Sequence, residues 1–157
     1  MNDSTPVTRA LSALNIPYRL FRHARPPTSL EQAAAERGQQ PDQIVRSILF
    51  RLSRDDYALV LIAGPKQISW RTLRRHLGQS RLTMASREEV LAVTGYEIGA
   101  VSPFGLPQSM RILVDQSVLD QAEISIGSGE QGATVIMQVA DLKQALGNYE
   151  SGRFVED

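Results

Sequence analysis

Two apolar runs separated by four polar residues constrain this chain more than any other feature. Ile44–Leu52 and Tyr57–Ala63 are almost continuously apolar, and Ser53-Arg54-Asp55-Asp56 between them is a turn pattern. A strand with one wet face alternates apolar and polar residues, whereas a strand buried on both faces does not. The two runs are therefore expected to form a hairpin buried on both faces, with the rest of the chain packed around it.

The remaining elements read as a mixture of helices and strands without strict alternation. Pro6 opens a helix to about Asn15 with Val7, Ala10, Leu11 and Leu14 on one face. A strand is expected at 17–22, followed by a loop from His23 to Thr28. Ser29 with Gln32 caps a helix to Arg37, and Gly38 stops it. Ser69 caps a helix to Leu77, stopped by Gly78, with Trp70, Leu73 and Leu77 as its buried face. A short strand at Arg81–Met84 precedes a helix that Ser86 and Glu89 cap and Gly95 ends. Strands are expected at 111–114, 122–126 and 133–138, then a helix at 139–146 ended by Gly147, then a polar tail. This pattern predicts one mixed α/β domain over residues 1–157 rather than a doubly wound sheet.

Composition excludes several chemistries. The 157 residues contain no cysteine, so disulfides, thiolate-held metals and thiol catalysis are ruled out. No apolar run approaches the roughly 18 residues of a membrane span, and Met1-Asn2-Asp3-Ser4 lacks the basic start of a signal peptide. A cytoplasmic protein with no membrane partner is expected. The formal net charge of zero is the sum of +8 over residues 1–87 and −8 over residues 88–157. Fifteen of the seventeen basic residues are arginine, leaving Lys66 and Lys143 as the only lysines. Lys66, Arg71, Arg74, Arg75 and Arg81 gather within sixteen residues, on and beside one helix. Such a face suits phosphates, although a solvated helix surface explains it equally well.

Gly127-Ser128-Gly129-Glu130-Gln131-Gly132 matches a dinucleotide fingerprint in letters only. That fingerprint needs a helix after the glycines, to meet a pyrophosphate with its N-terminus. Here the strand pattern Ala133–Met137 follows, so a glycine-rich turn between two strands is predicted. The nucleophile inventory is thin. His23 and His76 are the only histidines, and neither a G-x-S-x-G elbow nor an H-E-x-x-H metal motif is present. Glu88-Glu89 read as first-turn helix carboxylates. The loop Gly99-Ala100-Val101-Ser102-Pro103-Phe104-Gly105 can offer free backbone N–H groups to a carbonyl or oxyanion.

Several stretches together resemble the YbaK/ProX family of aminoacyl-tRNA deacylases, which also occurs as the editing insertion of bacterial prolyl-tRNA synthetases. They are Ile16–His23, Pro41–Phe50, Met84–Val90 and Thr94–Gly105, with the glycine turn near 127–132 matching in position. The G-x-x-x-P core at Gly99 and Pro103 is the most specific. The resemblance runs over residues 7–147 and implies an α/β fold around a barrel-like mixed sheet surrounded by helices. It implies hydrolysis of the ester joining a wrong small amino acid to the 3′ adenosine of a tRNA, the tRNA for proline first. It implies no cofactor and no metal. The partners expected are the aminoacylated 3′ end of a tRNA and, beyond it, a prolyl-tRNA synthetase. Editing of this kind is needed because a synthetase pocket rejects smaller amino acids poorly.

The resemblance assigns Arg46, Gly99, Ser102 and Pro103 to catalysis, with Arg46 holding the terminal adenosine or the ester carbonyl. Phe21, His23 and Thr28 would line the aminoacyl side, with Ser47, Val101 and Thr134, and Gly129 and Gly132 would form the far wall. Lys66, Arg71, Arg74 and Arg75 would steer the acceptor stem. Arg46, Gly99, Pro103 and Gly129 are expected to converge on one cleft. Family members carry a lysine where this chain has Arg46, and some carry an aspartate where it has Thr134. Arginine cannot act as a general base but binds phosphate or carbonyl through two hydrogen bonds. Two other readings stand beside deacylation: a binding module that lost turnover with the lysine, and an esterase unrelated to tRNA.

Overall fold

The computed structural model describes residues 4–157, so the N-terminal reading of Met1-Asn2-Asp3 lies outside the described residues. At its centre is the expected hairpin, β2 (Val45–Ser53) and β3 (Asp56–Ala63), paired antiparallel from Val45↔Ala63 to Ser53↔Asp56. Asp55 takes φ 59° at the turn, a left-handed conformation that its short polar side chain tolerates. Every residue of β3 from Ala58 to Ala63 is buried, as its unbroken apolar pattern requires.

Around this pair the chain builds a five-stranded sheet in the order β4-β2-β3-β5-β8. It uses β4 (Thr83–Met84), β5 (Arg111–Asp115) and β8 (Glu150–Gly152). A second sheet has three antiparallel strands in the order β1-β7-β6: β1 (Arg19–Arg22), β6 (Glu123–Gly127) and β7 (Ala133–Gln138). A lone parallel bridge, Ile44↔Ser125, links the two sheets beside β2. The expected mixed α/β fold is present, its strands forming two bridged sheets rather than a closed barrel. β4 pairs only with Phe50 and Arg51, which leaves the first half of β2 as an edge, and a cavity opens there.

Strand alternation gives β2 and β3 two different faces. Leu49, Leu59 and Leu61 join the main core with Ile124, Ile126, Val135 and Met137 of the smaller sheet. Helices α1 (Pro6–Ala13), α4 (Arg87–Thr94) and α6 (Val139–Leu146) close this core through Val7, Leu11, Val90 and Leu142. Phe50, Val60 and Ile62 point the other way, onto Leu73 and Leu77 of α3 (Trp70–Leu77). Trp70 is only half-buried, its ring edge-on to Phe50 at 5.3 Å. The helices start and stop where their cap residues stand. Ser29, Ser69 and Ser86 each accept an N–H of the first turn, and Gly38, Gly78 and Gly95 end α2 (Leu30–Arg37), α3 and α4 in left-handed conformations.

Three elements fall where none was expected, one of them a single 3-10 turn at Pro41–Gln43. The tail is not merely polar: β8 pairs parallel to β5, and Phe154 beyond it is 1% exposed in the second core. A short helix, α5 (Gln116–Leu119), follows β5. The buried carboxylate of Asp115 ties both to β5: its two oxygens accept from Ser117 N at 2.9 Å and from Phe154 N, just beyond β8, at 2.6 Å. The first strand also starts later than predicted, at Arg19, and β4 is two residues long. No helix among the described residues is long and apolar enough to cross a membrane.

Candidate active site

A cavity of about 480 Å³ opens where the uncovered half of β2 meets the smaller sheet. Its walls come from β2, from Met84 and Ala85 with Val90 of α4, from the loop after α4, from the β6–β7 region, and from the loop after β1 with Arg37 of α2. Of the residues expected at the site, Arg46, Ser47, Gly99, Val101, His23, Gly132 and Thr134 line it.

The loop walls are set by close backbone approach. Gly127 lies so near the 99–105 loop that a Cβ there would stand 2.1 Å from the Val101 carbonyl oxygen, so only glycine fits. Gly129 N donates to Ala100 O at 2.9 Å and fastens the same contact. The N–H groups of Gly99 and Val101 have no acceptor among the described residues. Two donors on a cavity wall fit a carbonyl or an oxyanion.

Arg46 stands differently from the expectation. Its Nε donates to Gly64 O at 3.0 Å and its Nη2 to Lys66 O. Strand alternation places its side chain on the Ile48 and Phe50 face of β2, opposite Ser47. The guanidinium therefore grips the loop after β3, and partial burial lowers its pKa.

Other expected residues lie outside the lining. Ser102 is fully buried, and its Oγ accepts from Phe104 N at 3.1 Å to close a turn. Pro103 sits inside that turn, and Tyr96 holds its far end by donating from its hydroxyl to Phe104 O at 2.6 Å. Gly129 packs against Tyr96 and Pro6, where a Cβ would meet the Tyr96 ring at 2.9 Å. The predicted convergence is thus corrected: Arg46 and Gly99 reach the cavity, whereas Pro103 and Gly129 support its walls from outside the lining. Thr28 is exposed and donates to Gln32 Oε1, and Phe21 stacks edge-on to His23 at 5.0 Å. Lys66, Arg71 and Arg75 are exposed, and Arg74 is half-buried. Helix α3 packs on the second core, on the side of β2 and β3 opposite the smaller sheet.

Sequence reasoning missed the cluster at the α2 end of the cavity. His23 Nδ1 meets Glu36 Oε1 at 2.7 Å, and Arg37 Nε donates to His23 Nε2 at 3.0 Å. Arg37 Nη1 donates to Ser125 Oγ at 2.9 Å. An N–H of Arg37 can only donate, so Nε2 accepts and Nδ1 carries the proton given to Glu36. That hydrogen bond from His23, with a second from Gln32, holds the Glu36 carboxyl below the usual carboxylate range. Burial lowers the Arg37 pKa against the smaller opposing pull of Glu36. The only sequence signal was the Glu36-Arg37 pair in the last turn of α2, which reads as ordinary helix surface. No cluster of potential metal ligands occurs among the described residues.

The fold and the cavity define an α/β unit with a ligand-sized site at the junction of two sheets. Comparison with known proteins identifies its kind. Residues 25–145 match the model of the aminoacyl-tRNA editing domain. A proline–tRNA ligase of Kosmotoga olearia is 34% identical over 92 residues, covering 59% of this chain and 16% of the ligase. A proline–tRNA ligase of Streptococcus pneumoniae is 28% identical over 132 residues, covering 83% of this chain and 21% of the ligase. The chain thus spans about a fifth or less of these ligases' length. Among solved structures, one described as a proposed trans-editing enzyme for prolyl tRNA synthetase superposes with TM-score 0.85 at 24% identity, covering 97% of this chain and 96% of that one. A hypothetical protein superposes with TM-score 0.86 at 24% identity, covering 96% of this chain and 99% of that one. This chain belongs to the aminoacyl-tRNA editing domain family.

Proposed function

We propose that residues 1–157 act as one cytoplasmic trans-editing domain. It hydrolyses the ester of a mischarged small amino acid on tRNA, with the tRNA for proline as first candidate and a prolyl-tRNA synthetase as the source of the error. The observation that carries this reading is the cavity itself. In a chain of the editing family, it gathers Ser47, Gly99, Val101, Gly132 and Thr134 from segments far apart in sequence.

An aminoacyl ester is already activated, so catalysis can rest on positioning and on stabilising the developing oxyanion. The unpaired N–H groups of Gly99 and Val101 supply donors for that oxygen. Attack by a water or a neighbouring ribose hydroxyl breaks the ester and frees the amino acid. Lys66 and the Arg71–Arg75 face lie outside the cavity and suit longer-range steering of the acceptor stem, which falls off as salt rises.

A second reading is favoured by one observation: the guanidinium of Arg46 is occupied by the carbonyls of Gly64 and Lys66. If turnover needs a free cation at this position, the domain binds the aminoacylated end without cleaving it. One experiment separates the two. The purified protein is incubated with tRNAs carrying small non-cognate amino acids, at low and high salt, beside Arg46→Lys. Release by the native protein, weakening steeply with salt, is the expected result. No release from any tRNA in the panel overturns deacylation. Binding of a non-hydrolysable aminoacyl-adenosine analogue together with activity gained in Arg46→Lys establishes the binding module. Salt-insensitive activity confined to simple esters points to an esterase instead.

A further inference from the structure

The cavity contains a second guanidinium whose charge meets no anion. Arg37 closes α2 and lines the cavity beside His23 and Ser125. Its Nε and Nη1 are committed to neutral acceptors, the His23 ring and the Ser125 hydroxyl. Its Nη2 has no acceptor among the described residues, and no ion pair there includes it. The one charge that acts on it is Glu36, which spends its carboxylate on His23 Nδ1 and Gln32 Nε2. A half-buried arginine stays charged, and an unmatched charge is costly to bury.

The β2 wall of the same cavity holds another unsatisfied group. Ser47 Oγ is buried with no hydrogen-bond partner among the described residues, and Ser47 lines this cavity. The native hydrogen bonds also fix the geometry of Arg37. Glu36, His23, Arg37 and Ser125 form one chain of hydrogen bonds across α2, the loop after β1, and β6, which holds the guanidinium plane in place. Of the five guanidinium N–H groups, the second on Nη1 and both on Nη2 remain, and donors held in a fixed plane are suited to an oxyanion.

We propose that Arg37 is the oxyanion-binding residue of the cavity, and that its ligand brings a phosphate or carboxylate oxygen to the free edge of this guanidinium. The proposal deepens the editing reading. In an aminoacyl-tRNA the oxygen is either the phosphate 5′ to the terminal adenosine or a carboxylate on the amino acid's side chain. His23 is then a positioning residue that acts through Arg37.

The test does not depend on tRNA. Inorganic phosphate and, separately, acetate are titrated into the isotope-labelled protein at constant ionic strength, while the backbone amides of Ser125, Gly132 and Thr134 are followed by NMR. A saturable shift is expected in the native protein, at least tenfold weaker in Arg37→Gln and at least threefold weaker in Arg37→Lys, which keeps the charge but loses the fork. The anion that binds more tightly identifies the source. No saturable shift in the native protein, or equal affinity in both variants, overturns the proposal. If Arg37→Gln does not fold, Arg37→Lys alone decides on the same criterion. Arg37-dependent anion binding without deacylation removes the editing reading and leaves this one standing. Deacylation with Arg37-independent anion binding does the reverse.

Discussion

Arg46 and Arg37 are nine residues apart, and strand geometry and helix termination give them different tasks. Arg46 projects from β2 towards the second core and donates to the carbonyls of Gly64 and Lys66. Arg37 ends a helix whose last turn hangs over the cavity. The contribution of Arg46 is thus measurable as stability. Arg46→Met keeps the aliphatic stem and removes the charged donors. It should lower unfolding stability by about 1.5 kcal/mol, the low end for charged hydrogen bonds because loop carbonyls can rehydrate. Urea unfolding of the two proteins checks this, and an unchanged midpoint would show that the grip on the Gly64–Lys66 loop contributes nothing.

Among the elements, the hairpin and the capped helices were legible because their signals are local. The apolar runs of β2 and β3, and the Ser and Gly residues that bracket α2, α3 and α4, act over a few residues each. Helix α5 and strand β8 were not legible. Gln116–Leu119 is too short to carry a periodic signal, and Glu-Ser-Gly has no strand pattern of its own. Both rest on contacts distant in sequence or made at the chain's turn: β8 pairs with β5, and buried Asp115 accepts from the N–H groups of Ser117 in α5 and Phe154 after β8. Part of the site was legible in the glycines. The 99–105 loop and the turn after β6 do meet, but through Gly127 rather than Gly129 at the point of closest approach. Replacing Gly127 with alanine should therefore force the two segments apart. A cost of about 1–3 kcal/mol is expected, as for overpacking elsewhere, because the Cβ meets backbone rather than a movable side chain. Thermal unfolding reads the cost, and an alanine variant as stable as the native protein would contradict the close approach.

Across the whole molecule, the division into a basic and an acidic half does not become a division in space. β5 and β8, from the acidic half, extend the sheet begun by β2 and β3 from the basic half. Arg22 pairs with Glu130 at 2.9 Å, and His76 with Glu150 at 3.0 Å, each across the sequence boundary. Glu150 also receives Arg111 through two donors at 2.7 and 2.8 Å. The Arg111 hydrogen bonds, with those of His76 and their charges, lower its pKa to about 2. A carboxyl depressed on folding stabilises the native state above its unfolded value, near 4.3, and that contribution fades as pH falls towards 2. Glu150→Gln should therefore be less stable than the native protein at pH 6. The difference should narrow below about pH 4.3 and vanish near pH 2. Denaturant unfolding at these pH values tests the sign, and a gap that widens on acidification would refute it.

The sequence by itself determined the central hairpin, though β2 is only partly buried. It also determined the capped ends of α2, α3 and α4, though α1 ends at Ala13 rather than Asn15, the exclusion of thiol chemistry and the resemblance to editing domains. Each of these rests on residue type at short spacing, where side-chain entropy, capping and burial act locally. Only the tertiary structure decided which guanidinium grips a loop and which keeps free N–H groups beside the cavity. That choice depends on Ser125 and the Gly64–Lys66 loop, which hydrogen bonds bring to Arg37 and Arg46 from 88 and up to 20 residues away. Periodicity tells which side chains share a face of a strand or helix. It does not tell which face another part of the chain will leave open as a cavity.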